Sequence, residues 1–301
     1  MASSKRKRKK KPRKASGATG SGDPRVAEGA ESHLDSLFKL VFEVTETADR
    51  AMPLTPNPSD RLVRFDMEIL ARAINSMKSV YLLLRSGHWE HASGITRQLF
   101  ELLVNMEYLG KQPSRWDATL LYCRFGLLQM ALEHHRKAMY NKETGRYVDE
   151  RRVAFLEKIL DGSFDDFKGK PRPDGTTRWV TSWNRKNTKE MSDLSSDRMR
   201  PKQYVNLFAS WSEQAHATPG SLMDNLFRDM EEDWWERAME SDTQKIVETA
   251  SMALLLFLSL WRELPHAFPL PREQANAWTR RMMEIVAAPE FDALPGYRVG
   301  G

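Results

Sequence analysis

The sequence has one cysteine, no long apolar run and no stretch of alternating apolar and polar residues. A lone thiol, Cys123, cannot close an internal disulfide, and a thiolate metal cage needs several ligands; the chain fits a reducing compartment. The most apolar run, residues 253–260 (ALLLFLSL), is far shorter than the roughly 20 apolar residues of a membrane span. It reads as a buried core helix, and no transmembrane segment is expected. The N-terminus is positive, but no apolar stretch follows it, which excludes a secretory signal. A cytoplasmic location is the expectation. No glycine-rich phosphate-binding motif is present, and no cofactor is expected.

Charge is abundant but unevenly placed. Residues 5–14 (KRKRKKKPRK) hold nine basic residues, Lys5, Arg6, Lys7, Arg8, Lys9, Lys10, Lys11, Arg13 and Lys14, with no acid among them. The remaining 37 basic residues face 41 acidic ones, so the overall charge of +5 belongs to this tail. The body lacks the excess positive charge of a nucleic-acid-binding domain. The tail itself attracts nucleic acid or another polyanion weakly, in a sequence-independent and salt-sensitive way. Gly, Ala and Ser follow it, and residues 1–30 cannot bury enough apolar surface to offset their ordering entropy. They are expected to be a disordered polybasic tail, followed by a helical domain over 31–290 and a flexible C-terminus over 291–301.

Within the domain the apolar residues recur with helical spacing almost throughout. Leu34, Leu37, Phe38, Val41 and Phe42 mark the first helix. PLTPNPSD (residues 53–60) ends it, because three prolines cannot continue a helix, and Ser59 or Asp60 can cap the next. Further helices are expected over 61–85, 89–109, 114–140 with Ser114 as cap, and 148–160. Shorter ones follow near 189–195 and 202–216, and two last ones span about 243–263 and 272–287. The fold class is all-α, a single domain of eight to nine helices, with the third and eighth most buried.

The third predicted helix is apolar on two sides. At 100° per residue Leu99, Leu102, Met106 and Leu109 gather on one face, and Phe100, Val104 and Tyr108 on another. Arg97 and Glu101 fall among the second set, spaced to pair with each other. A helix of this kind is central, so both charges need polar partners. The seventh helix offers Ser212 and His216 on the shoulder of a stripe formed by Tyr204, Leu207, Phe208, Trp211 and Ala215. His216 either faces its own helix dipole or joins Arg97, Glu101 and Ser212 in one site with Tyr204 nearby.

Three segments, LLRSGHWEHASGITRQLFELLVNMEYL (residues 83–109), WNRKNTKEMSDL (183–194) and YVNLFASWSEQAHATP (204–219), occur in an order that resembles the bacterial domain-of-unknown-function family 5677. The resemblance covers about residues 61–260. It implies a compact helical domain of a bacterial cytoplasm with no established activity, whose polar residues are Arg97, Glu101, Ser212 and His216.

The sequence thus points to an interaction or sensing module built around this cluster. The alternative is a metal-independent, defence-type ribonuclease. Arg85-x5-His91 is similar to the Arg-x4-6-His motif of HEPN (higher eukaryotes and prokaryotes nucleotide-binding) nucleases, in which arginine steadies a phosphate and histidine acts as acid or base. No metal site is expected: Glu213-x2-His216 has di-iron spacing, but its counterpart, Glu263-x2-His266, is interrupted by Pro265. Ser212 lacks the strained elbow of a serine hydrolase. The sequence leaves the oligomeric state open.

Overall fold

The computed structural model describes residues 24–52, 60–211 and 234–287. Among these, nine α-helices follow one another: α1 (Pro24–Ala51), α2 (Arg61–Arg85), α3 (Trp89–Gly110), α4 (Arg115–Glu143), α5 (Glu150–Gly162), α6 (Thr188–Asp193), α7 (Arg200–Val205), α8 (Trp234–Arg262) and α9 (Arg272–Val286). No strand is present among the described residues, where the fold is all-α; a lone bridge joins Lys168 to Trp179. The helix α1 begins at Pro24, ahead of the boundary expected at residue 31. Proline suits a first helical position, since its fixed φ is already helical and its missing N–H would have no partner there. The tail residues Lys5 to Lys14 and the C-terminal residues from 288 lie outside the described residues.

Local chemistry sets the boundaries. Asp60 caps α2 by accepting from the backbone N–H groups of Leu62 and Val63. Gly87, at φ 76°, turns the chain between α2 and α3. Ser114 caps α4 through the Asp117 N–H, and Asp149 caps α5 in the same way.

The core is a packing of α3 and α8, flanked by α2 and α1, with α9 laid across α1. Phe100, Leu103, Val104 and Met106 from α3 meet Leu254, Leu256, Phe257 and Leu260 from α8, all fully buried. The segment Thr243–Arg262 is long and apolar enough, by length and composition alone, to cross a membrane. Its apolarity is that of a core helix: residues 253–260, apart from Leu255 and Ser259, are buried against the neighbouring helices. The third and eighth helices are therefore the central ones.

The pair α4 and α5 stands to one side. Beyond Leu128, α4 leaves the main core and packs into a second, small one with Leu156, Phe164 and Phe167. The expected seventh helix, 202–216, is observed as α7 followed by one wide π turn, Asn206–Ser210. That turn leaves Leu207 and Trp211 buried and Phe208 packed against Phe100.

Candidate functional site

Arg97 and Glu101 occupy adjacent turns of α3 and meet at 3.5 Å, with 25% and 42% of their side chains exposed. The Arg97 guanidinium lies 4.0 Å from the centre of the Phe208 ring. Tyr204 stacks on the same Phe208 ring, 4.6 Å between centres and 19° between planes. The π turn thus delivers an aromatic face on which the arginine rests, a cation–π contact. Burial pushes the Glu101 carboxyl above its ordinary value, and the Arg97 charge opposes this. Ser212 and His216 lie outside the described residues.

Glu101 faces a second environment on its other side. A groove of about 810 Å³ runs between α2, α3, α4 and the turn that precedes α6. Its floor is apolar, formed by Ile69, Leu99 and Met191, and Trp183 lines the wall beside them. Tyr122 and Phe125 of α4 form one wall, and Tyr122 meets Trp183 edge to face at 5.6 Å. Arg72 and Lys186 bring two cations, and Gln98, Asn105 and Gln129 bring carboxamides. Burial raises the Tyr122 phenol, and the nearby Arg72 charge counters it. Ser182 lines the groove, while its hydroxyl oxygen is out of contact with solvent and has no hydrogen-bond partner.

The wall containing Trp183 is braced at several points. Trp183 donates its indole N–H to Asn105 Oδ1 at 2.7 Å, and Asn105 donates its amide to the Glu101 carbonyl at 2.7 Å. Arg185 sits at φ 62°, which costs energy for a residue with a side chain. Its guanidinium donates to the carbonyls of Asp166 and Lys168 and holds it there. Asn187 and Glu190 then close a reciprocal capping box at the start of α6.

Below the groove, at the other end of α3, lies a network that the sequence did not reveal. Asp66, fully buried on α2, accepts from Arg115 at 2.7 Å and from the His266 backbone N–H at 3.0 Å. Glu107 accepts from Arg200 at 2.8 Å and from the Ser195 hydroxyl at 2.7 Å. Arg200 also donates to Gln203 and pairs with Asp197. Glu263 feels the charges of both halves and lies beside Gly110, where a side-chain carbon would come within 3.6 Å of Arg115 and 4.0 Å of Glu263. Burial and the Glu107 charge raise the Glu263 carboxyl, against the pull of Arg200, Arg262 and Arg115. These residues stand far apart in sequence, and no spacing pattern links them; only the apolar surroundings of Glu107 in α3 hinted at a buried charge.

A family model described as "Family of unknown function (DUF5677)" matches residues 67–233. The chain belongs to this family. No curated protein and no solved structure matches it. The DUF5677 segment is narrower than the resemblance read from the sequence, and it contains every residue that lines the groove. The ionic network straddles its edges, since Asp66 and Glu263 lie outside it.

Two other motifs can be placed. Arg85 is paired with Asp35 at 3.2 Å and lies 5.6 Å from the Phe38 ring centre, so it is engaged with α1. His91 lies beside His88, their ring centres 6.3 Å apart. Among the described residues, no group of three or more His, Cys, Asp or Glu side chains is arranged to hold a metal ion.

Proposed function

We propose that the chain is a sensing module that binds a small anionic ligand with a planar, hydrogen-bonding part, of which a mononucleotide is the fitting chemical class. The observation that carries this reading is the convergence, in one aromatic-walled groove, of the two cationic residues Arg72 and Lys186 with the carboxamides of Gln98 and Gln129. Binding sites for small molecules are concave, largely apolar and of roughly 300–1,000 Å³, with a few polar groups that fix orientation. Tyr122 and Phe125 offer the surface for a planar ring. Gln98 and Gln129 can donate to and accept from its edge. Arg72 and Lys186 supply the charge for a phosphate. Glu101, bonded to Arg97 and lining the same groove, links ligand binding to the Phe208 stack.

The polybasic tail is a separate element of the proposal. Its nine charges bring the chain to nucleic acid or an anionic surface, with an affinity that falls steeply with salt. The ribonuclease alternative draws no specific support from the described residues, since Arg85 is occupied by Asp35 and Phe38.

Thermal unfolding of the full chain with AMP, GMP, CMP, UMP or inorganic phosphate tests the groove. A ligand at about 100 times its Kd stabilises the fold by about 2.7 kcal/mol. At least one nucleotide is expected to raise Tm more than phosphate does, and Arg72→Ala with Lys186→Ala should abolish the shift. No shift with any nucleotide at millimolar concentration, or an undiminished shift in the double variant, overturns the reading.

A further inference from the structure

The helix α4 is apolar on two opposite sides. Leu121, Phe125, Leu128 and Leu132 face the two cores. On the other side Trp116, Leu120, Cys123, Leu127, Met130 and His134 succeed one another at alternating steps of four and three residues. At 100° per residue all six lie within about 40° of one line. This is the narrow a/d seam of a coiled-coil strand, distinct from the broader stripe with which a helix settles on a globular core. All six side chains are exposed: Trp116 and Leu120 at 38%, Leu127 and Met130 at 56%, and Cys123 and His134 beside them. Gly126, on the flank of the seam, has nothing within 4 Å of where a side chain would begin.

We infer that this face is the docking surface for a second copy of the same chain, with α4 packed on α4. A heptad seam is complementary to itself, because each apolar knob meets the gap that an identical strand presents, and a two-fold axis closes such a pair. The area agrees. From Trp116 to His134 the seam is roughly 27 Å long at 1.5 Å per residue and about 10 Å wide. Covering it with an identical seam and its flanks removes on the order of 1,000–1,200 Å² from water in total, the lower end of specific interfaces. The arm's construction agrees too. Past Leu128, among the described residues, α4 packs with α5 in a small second core, and a partner helix on its open side completes its burial.

The experiment uses the full chain in sedimentation equilibrium from micromolar to about 100 µM, beside Leu127→Glu with Met130→Glu. The wild type is expected at dimer mass. The variant should be monomeric, with its dissociation constant raised at least about 100-fold, and with unchanged far-UV circular dichroism because both residues are exposed. Cys123, the one cysteine of the chain, gives an independent readout. A bismaleimide of about 13 Å exceeds the helix spacing of about 10 Å and should link two copies through Cys123. A wild type that stays monomeric at 100 µM overturns the inference, and so does a dimer that survives both glutamates or is not cross-linked through Cys123. Should the double variant lose its helical signal, Leu127→Ala takes its place and must raise the dissociation constant at least tenfold.

Discussion

The two ends of α3 present the same chemistry in two environments. Toward its N-terminus Arg97 meets Glu101 at 3.5 Å, with 25% and 42% of the side chains in solvent. Toward its C-terminus Glu107 meets Arg200 at 2.8 Å, with 8% and 5% exposed. Water screens the first pair, and the Phe208 ring shares the cation. The second pair has lost nearly all its water and depends on protein groups, Ser195, Gln203 and Asp197, for its remaining bonds. The second locks α7 and the segment before it onto α3, and so fixes where the Phe208 stack stands.

The largest effect should come from breaking the buried end. Arg200→Ala leaves the Glu107 carboxylate without its cation and should lower unfolding free energy in urea by about 3–5 kcal/mol. Arg97→Ala should cost no more than about 1 kcal/mol. Equal losses at both ends would dissolve the contrast. Replacing Glu107 and Arg200 together by Leu and Met should recover most of the loss, because burying two charges was itself costly.

The same contrast explains what the sequence could tell. Helix boundaries were legible because their causes are local: the prolines after residue 52, the Asp60 and Ser114 caps, and the Gly87 turn all act within a few residues. The Arg97–Glu101 pair was legible for the same reason, since four-residue spacing puts two side chains side by side. Glu107 and Arg200 are 93 positions apart, and Asp66 and Arg115 are 49 apart. No periodicity predicts such meetings; they follow from packing α2, α3, α4 and α7 together. The π turn at Asn206–Ser210 was missed because one added residue per turn barely alters an apolar pattern. Trp183 was noticed as part of a motif, whereas its bond to Asn105 across 78 positions was not.

A middle-sized effect sharpens the picture of the groove. Trp183→Phe keeps an aromatic ring on the wall but removes the indole N–H, leaving Asn105 Oδ1 short of a donor. Stability should fall by about 1–3 kcal/mol in urea denaturation, more than for Arg97→Ala and less than for Arg200→Ala. Because Asn105 also donates to the Glu101 carbonyl, the nucleotide-induced Tm shift should weaken as well. A stability loss with the full ligand shift retained would separate the brace from the groove.

The smallest effect concerns Glu263, which stands between the Glu107–Arg200 and Asp66–Arg115 pairs. Burial and the Glu107 charge raise its carboxyl above the ordinary value, despite three nearby arginines. A raised carboxyl in the folded state means that the unfolded chain gives up this proton first as pH rises. The group therefore costs stability fully above its folded value, and the cost fades as pH falls toward the unfolded value, about 4.3. Glu263→Gln removes the ionisation and should raise Tm at pH 7 by on the order of 1 °C, a modest gain because the site is partly hydrated. The gain should shrink as the solution is acidified and vanish near pH 4. Other carboxyls titrate over the same range, so the informative quantity is the difference between variant and wild type at each pH. A variant less stable than wild type at pH 7 would mean that attraction to Arg115 and Arg200 outweighs burial. Glu263 would then belong with Glu107 as part of the lock on α3.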